Sequence, residues 1–126
     1  MEQVIISTPD APAAIGPYVQ GRKVGQLLFS SGQIPLVPGT GQLVGSDIVS
    51  QTKQALVNLE AIVIAAGGSR ASIIKNTLFI KDMNDFATIN EIYGEFFGDH
   101  KPARSCVEVA RLPKDVLIEI ECIALV

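Results

Sequence analysis

The sequence has one histidine and only two cysteines, and this scarcity limits the chemistry open to the chain. His100 has neither a second histidine nor a cysteine beside it, so the spacing of a zinc site is missing and a catalytic histidine dyad has no partner. Cys106 and Cys122 fall in a chain without a signal for an oxidising compartment, which favours free thiols. We therefore expect a solvated loop histidine, no metal site and, because no phosphate loop is present, no bound cofactor.

Positive charge is also scarce, since 10 lysines and arginines stand against 13 acidic residues and give a net charge of -3. Nucleic acid is a poor candidate partner because no basic stripe follows any segment. No apolar run reaches the ~18 residues of a membrane-spanning helix, and residues 1–6 lack the basic start and the length of a signal peptide. We expect a cytoplasmic protein with no membrane partner.

What the sequence does have is apolar material for one core, with 48% hydrophobic residues in 126. This favours a single domain over residues 1–126. Apolar residues recur at three- and four-residue steps over 46–66, before Gly67 and Gly68, and again over 84–97, before Gly98. Both segments are predicted to be amphipathic helices, the second capped by Asp82 or Asn84.

The other apolar segments are short, β-branched and bounded by glycine or proline, which predicts strands. We place them at Val4–Ile6, Val24–Ser31, Ile73–Ile80, Ser105–Arg111 and Leu117–Leu125. Two helices cannot cover both faces of such a sheet, so the predicted α+β fold has both on one face. The other face is left for a partner chain, and oligomerisation is expected.

The last two strands are predicted to form a hairpin around a turn at residues 112–115. Their alternation then puts Val107 in the covered row with Ile118 and Ile120. In that register Arg104, Cys106 and Glu108 share the uncovered face with Glu119 and Glu121.

Five blocks of sequence resemble the reactive-intermediate deaminase (RidA/YjgF) family. The strongest is Pro-Ala-Arg-Ser-Cys-Val-Glu-Val at 102–109, followed by Ile-Glu-Ile at 118–120. Ala-Ile-Gly-Pro-Tyr at 14–18, Ser-Ser-Gly-Gln-Ile-Pro at 30–35 and Asp-Phe-Ala-Thr-Ile-Asn at 85–90 resemble further blocks in the same order. The resemblance covers nearly the whole chain.

The resemblance implies a chorismate-mutase-like α+β fold assembled as a homotrimer, with clefts between subunits. It also implies a cofactor-free enzyme that hydrolyses 2-iminobutanoate and 2-iminopropanoate to 2-keto acids and ammonia. Carried over position by position, it implies a catalytic Glu119 and a set of substrate-binding residues: Tyr18, Ser31, Gly32, Asn90, Arg104 and Cys106.

Arg104 and Glu119 have the chemistry that this reaction needs. A planar guanidinium clamps a carboxylate through two hydrogen bonds, whereas the alternative for Arg104 is a surface ion pair with Glu119 or Glu121. Glu119 can aim a water at the imine carbon and move a proton. Glu121 is the substitute candidate, and only the resemblance separates the two carboxylates.

The remaining site residues each have a simpler alternative. Tyr18 covers the substrate or is a packed surface tyrosine, and Ser31 with Gly32 allows close backbone approach or forms a plain turn. Asn90 reaches a neighbouring subunit or solvent. Cys106 lines the cleft, since no histidine stands near it to make it a nucleophile. The competing function is a regulatory or chaperone-like module that binds keto acids without catalysis, which would need Arg104 but no Glu119.

Overall fold

A computed structural model describes all 126 residues. The strands form one mixed six-stranded sheet in the order β1-β2-β3-β6-β4-β5, accompanied by two α-helices and three short 3-10 turns. The elements are β1 (Gln3–Ile6), β2 (Gly21–Val24), β3 (Leu27–Ser30), α1 (Ile48–Ala65), β4 (Ile73–Ile80), α2 (Phe86–Phe97), β5 (Ala103–Glu108) and β6 (Ile118–Leu125).

Both predicted helices are confirmed. The Asp47 side chain caps α1 by accepting a hydrogen bond from the Ser50 N–H at 2.8 Å, and the helix ends before Gly67, whose φ is +99°. A left-handed φ of this kind is easy for glycine and ends a helix. α2 follows a 3-10 turn capped by Asp82 and ends at Gly98, whose φ is +60°.

The single strand predicted at Val24–Ser31 is wrong, because the chain reverses inside it. Gly25 has a φ of +60° and forms a tight turn with Gln26, so β2 and β3 pair as an antiparallel hairpin with Val24 opposite Leu27. A Gly-X pair between two extended segments is a known signal for such a turn. β2 itself, Gly-Arg-Lys-Val, is too polar to have been recognised by its apolar period.

The hairpin predicted around residues 112–115 is also wrong, because β4 lies between β5 and β6. β5 pairs in parallel with β4, and β6 pairs antiparallel with β4 on its other side. β4, α2 and β5 form a βαβ unit, the connection that parallel neighbours require. The segment from 109 to 117 is longer than a hairpin turn and instead passes around the end of β4.

The two helices do lie on one face of the sheet, as predicted. A core of 20 buried residues fills the space between them and that face, including Leu28, Leu78, Ile118 and Ile120 at zero exposure. The opposite face has no cover and exposes apolar side chains from β3, β5 and β6, among them Leu27, Phe29, Val107 and Leu125.

Three predictions about single features can be compared with the fold. Cys106 and Cys122 are free thiols. His100 is not a solvated loop residue, since it is partly buried, with its Nε2 atom 2.6 Å from the Ile73 carbonyl oxygen and its ring near Phe97. Neither helix combines the length and the apolarity required to cross a bilayer.

Candidate active site

Glu119 lies against Gly32 at an irregularity between β3 and β6. Phe29 pairs with Ile123, and the next bridge joins Gln33 to Ile120, so β3 advances four residues while β6 advances three. The extra residue makes a bulge, which leaves backbone groups unpaired and re-aims nearby side chains. The Gly32 N–H consequently has no hydrogen bond within the chain.

The bulge is held in place by side chains on both of its ends. The Ser31 hydroxyl donates to the Val19 carbonyl at 2.5 Å, and the Ser31 N–H donates to the Gln20 carbonyl at 2.9 Å. Beyond the bulge, the Gln33 amide donates to the Ser31 and Gly32 carbonyls at 3.2 and 3.3 Å. The Gly32 segment is thereby fixed with its N–H group free.

A cavity of about 460 Å³ opens at this point and brings together four of the predicted site residues. Its lining comprises Ile15, Gly16, Pro17, Tyr18, Ser31, Gly32, Ile34, Pro113 and Glu119. Another cavity, of about 490 Å³, is also lined by Tyr18 but has no carboxylate, cation, thiol or imidazole in its lining. Of these two cavities, only the one that contains Glu119 offers a carboxylate.

The Glu119 carboxylate has an unusual electrostatic environment. It is half-buried and takes part in no hydrogen bond or salt bridge, since the two salt bridges of the chain are Arg70–Glu60 and Arg111–Asp115. Burial raises the pKa of Glu119 above its usual 4.5, and the nearby Glu121 carboxylate raises it further. Desolvation and a like charge both favour the protonated form, which is how catalytic carboxyl groups are commonly tuned.

Tyr18 lies on the loop that borders the cavity and is the aromatic residue in the cavity lining. It is 47% exposed, and its hydroxyl oxygen accepts a hydrogen bond from the Ile15 N–H at 3.3 Å. Its ring folds over Gly16, where an added Cβ would lie 3.3 Å from the ring. The loop therefore presents an aromatic side chain and a free hydroxyl proton beside Glu119.

Arg104 and Cys106 are not on the face that carries Glu119, which corrects the predicted shared face. Arg104 is the register partner of Asn76 and Cys106 that of Leu78, both of which point toward the helices. Glu119 is the register partner of Phe79, one residue out of phase with that row. Because side chains alternate along a strand, the parallel pairing of β5 places Arg104 on one face and Glu119 on the other. Val107, predicted in the covered row, is 42% exposed on the opposite face.

Arg104 is instead held by α2. Its Nη1 atom donates to the Asn90 Oδ1 atom at 2.7 Å, and its Cζ atom lies 5.4 Å from the ring centroid of Phe86 and 4.9 Å from that of Tyr93. The expectation that Asn90 reaches a neighbouring subunit or solvent is wrong for its Oδ1 atom, which binds Arg104 of the same chain. The ion pair of Arg104 with Glu119 or Glu121 does not form.

Cys106 is partly buried and packs against the core. Burial raises the pKa of its thiol, an effect that the Arg104 charge only partly offsets. Nucleophilic cysteines have lowered pKa values, so the side chain is unsuited to covalent catalysis. The structure also contains no group of three or more histidine, cysteine, aspartate or glutamate side chains placed to hold a metal ion.

The sequence interpretation did not identify the side chains that surround Arg104 and Glu119. Phe86 and Tyr93 fall in the apolar stripe predicted over 84–97, and the seven-residue interval between them puts both on one helix face beside Asn90. Pro113 was assigned to a turn and lines the cavity with Glu119. The chain thus carries two separate groups, one around Glu119 and Gly32 and one around Arg104 and Asn90, on opposite faces of the sheet.

The family model described as endoribonuclease L-PSP matches residues 8–126. A relative from Escherichia coli K12, named 2-iminobutanoate/2-iminopropanoate deaminase, is 58% identical over 122 residues that cover 94% of each chain.

Two solved structures from Escherichia coli are similar over nearly their whole length. The crystal structure of TdcF with bound serine has a TM-score of 0.94 at 56% identity and covers 98% of both chains. The YjgF gene product has a TM-score of 0.93 at 55% identity, covering 97% of this chain and 98% of that one. The six-stranded sheet with two helices on one face is therefore the fold that these proteins share.

Proposed function

Because this chain belongs to the RidA/YjgF family, the family of the endoribonuclease L-PSP model, we propose that it is an imine deaminase acting on 2-iminobutanoate and 2-iminopropanoate. The name of the relative that is 58% identical supports this activity and these substrates. The observation that carries the proposal is Glu119, a half-buried carboxylate without a protein partner at the mouth of a cavity. A protein that only bound keto acids would have no use for it.

Glu119 acts as the proton carrier of the reaction. Its carboxylate accepts a proton from water while the water oxygen bonds to the imine carbon, and the proton passes to the imine nitrogen to give a carbinolamine. Glu119 then accepts the hydroxyl proton of that intermediate and donates it to the amino nitrogen, the C–N bond breaks, and the nitrogen leaves as ammonia. The products are the 2-keto acid and ammonia, so atoms balance with water as the only co-reactant.

Gly32 and Arg104 hold the substrate during these steps. The free Gly32 N–H is a fixed backbone donor next to Glu119, suited to an oxygen or nitrogen that becomes more negative in the reaction. Arg104 binds the carboxylate through two parallel N–H donors of its planar guanidinium, the fork of the side chain. No acidic side chain of the protein forms a salt bridge with this group. Tyr18 covers the cavity, while Asn90 and Cys106 border the Arg104 end.

A complete site needs two copies of the chain. Glu119 and Arg104 lie on opposite faces of one sheet, so one subunit supplies Glu119, Gly32, Ser31 and Tyr18, and its neighbour supplies Arg104, Asn90 and Cys106. The uncovered face supports this assembly, since it exposes large apolar side chains such as Phe29 and Val107. We propose a homotrimer, in which this contact repeats around a closed ring and gives three clefts, each between two subunits.

The proposed substrates are small acids and not RNA, despite the ribonuclease name of the family model. Only one cation, Arg104, belongs to the two groups of site residues, whereas RNA binding depends on several phosphate contacts. We propose a cytosolic location, which is supported by the two free thiols.

The direct test is release of ammonia and 2-ketobutyrate from an imine generated in place by an amino-acid oxidase acting on 2-aminobutyrate. The chain should speed the loss of the imine in proportion to its concentration, with no added cofactor. Glu119→Gln should abolish this acceleration while retaining affinity for 2-ketobutyrate. If the imine lifetime is unchanged but keto-acid binding is measurable, the protein is a binding module and not an enzyme.

A further inference from the structure

We propose that Tyr93 is a positioning residue for Arg104, fixing the plane in which the guanidinium presents its fork to a substrate carboxylate. The inference rests on the proposed function, because it concerns the anchor of the imino acid. Three relationships support it: the Tyr93 ring lies against the Arg104 guanidinium, the Tyr93 hydroxyl binds the buried Asn76 amide, and Asn76 is the strand neighbour of Arg104.

The first contact is between the Tyr93 ring and the guanidinium, whose Cζ atom lies 4.9 Å from the ring centroid. A cation above an aromatic face is attracted by the ring quadrupole, and a planar guanidinium stacks there in a defined orientation. Phe86, at 5.4 Å, and Asn90, at 2.7 Å from Nη1, complete the support. Two rings and one amide therefore hold a cation that has no carboxylate partner.

The second contact explains why Tyr93 has a hydroxyl group. Tyr93 is only 6% exposed, and its Oη atom accepts a hydrogen bond from the Asn76 Nδ2 atom at 2.8 Å. Asn76 is completely buried in the central strand β4, and its Oδ1 atom has no partner. A buried amide with one unpaired end is costly in a core of aliphatic side chains. The Tyr93 hydroxyl is the only group that Asn76 binds through its side chain.

The third relationship joins the cluster into one unit, because Asn76 is the register partner of Arg104 in the neighbouring strand. Asn76 fixes the Tyr93 ring from the strand beside Arg104, and the ring in turn fixes the guanidinium. An acidic side chain could also orient Arg104, but it would occupy the fork and compete with the substrate carboxylate. Aromatic support orients the group without using a hydrogen-bond donor, so the donors that Asn90 does not take stay free.

The experiment compares three variants of α2 in the full chain. Tyr93→Leu removes the ring, and Tyr93→Phe keeps the ring but leaves Asn76 without its partner. Phe96→Leu is the matched control, because Phe96 lies in the same helix as Tyr93 but stacks on a different arginine. The Cζ atom of that arginine, Arg70, lies 3.7 Å from the centroid of the Phe96 ring. For each variant, calorimetry gives the affinity for 2-ketobutyrate, and inhibition of imine turnover gives the affinity for its uncharged methyl ester. Steady-state kinetics on the imine of 2-aminobutyrate separate KM from kcat.

Tyr93→Leu should raise KM and weaken 2-ketobutyrate binding by about five- to tenfold, the range of a lost cation–π contact, with kcat within about twofold. Tyr93→Phe should lose about two- to threefold in the same parameters, because the ring remains but is less firmly held. The ester, which makes no ion pair, should bind every variant like wild type. Phe96→Leu should leave KM and both affinities unchanged.

The proposal is overturned if Tyr93→Leu weakens binding of the acid and of the ester equally, or if Phe96→Leu weakens acid binding as much as Tyr93→Leu does. Either result would mean that Tyr93 contributes only to packing. If Tyr93→Leu does not fold, Tyr93→Phe decides, and wild-type acid affinity in that variant overturns it. Failure of the proposed function is seen separately, as wild-type protein that does not shorten the imine lifetime.

Discussion

A Cβ atom on residue 32 would lie 2.7 Å from Cδ and 2.8 Å from Oε1 of Glu119, so the carboxylate occupies the space that a glycine leaves open. Real Cβ atoms essentially never come so close to a neighbour. Gly32 thus combines two features: its N–H group is free, and its missing Cβ lets the Glu119 carboxylate approach to within contact distance.

Gly32→Ala should lower kcat by about 100-fold or more, the contribution usual for a positioned acid-base group, because the added Cβ would displace the Glu119 carboxylate from its present position. The measurement is steady-state imine hydrolysis, with circular dichroism to establish that the variant is folded. Gly94→Ala is the control, since a Cβ there would meet only the Lys101 Nζ atom, at 3.9 Å. Control activity should equal wild type, and an active Gly32→Ala would show that the close approach is irrelevant to turnover.

The acid limb of the pH-rate profile should lie above pH 4.5, because Glu119 must be ionised to accept a proton and burial and Glu121 raise its pKa. Glu121→Gln removes the like charge and should shift that limb to lower pH. The shift should be partial, since desolvation is the larger cause and remains. Measurements of kcat/KM from about pH 4 to 8 decide it. A limb that stays in place in Glu121→Gln would assign the titration to another group.

Cys106→Ala should keep most of the wild-type rate, because burial raises the pKa of its thiol and leaves little thiolate to attack a substrate. The structural cost should be small for a partly buried side chain. Single-turnover decay of the imine in the folded variant is the measurement. A loss of several orders of magnitude would make Cys106 a covalent nucleophile and displace Glu119 from the mechanism.

Gln20 organises the loop that leads to Tyr18, and Gln20→Glu should destabilise the fold by about 2 kcal/mol or more. The buried Gln20 amide donates to the carbonyls of Thr8, Ala11 and Pro12, at 3.0, 3.3 and 2.8 Å. A carboxylate of the same shape cannot donate and faces three oxygen atoms instead.

The control for this change is Gln3→Glu, where the side chain is exposed and only accepts a hydrogen bond from Arg22. Surface changes of this type usually stay within about 0.5 kcal/mol. Urea unfolding of both variants gives the two free energies. Equal stability of Gln20→Glu and wild type would mean that the loop does not depend on this amide.

The helices could be predicted from the sequence because amphipathic periods and their stop signals are local. Gly67 and Gly98 mark helix ends by a conformation that the sequence itself favours. The family resemblance likewise depends on short blocks that can be recognised without a structure. Glu119 and Gly32 belong to two such blocks, so both could be named as site residues although their contact could not.

The strand neighbours did not follow from alternation, which shows which residues share a face of one strand but not which strand lies beside it. The assumed hairpin placed Arg104 next to Glu119, whereas the insertion of β4 places them on opposite faces. The helix between β4 and β5 was the available signal for parallel pairing. The sheet order also changed the predicted neighbourhood of the two residues, since Arg104 and Glu119 do not share a face within one chain.

The most direct test of this two-chain site mixes subunits of two inactive variants, Arg104→Ala and Glu119→Gln. Each variant is first shown to be folded and inactive alone, and the two are then unfolded together in equal amounts, refolded and assayed for imine hydrolysis. In random trimers whose clefts take Arg104 from one subunit and Glu119 from the next, about a quarter of the clefts have both residues, so about a quarter of wild-type activity should return. Each variant refolded by itself should remain inactive. If the mixed trimers also stay inactive while refolded wild type recovers its activity, each site draws both residues from one chain, and the shared cleft between subunits is wrong.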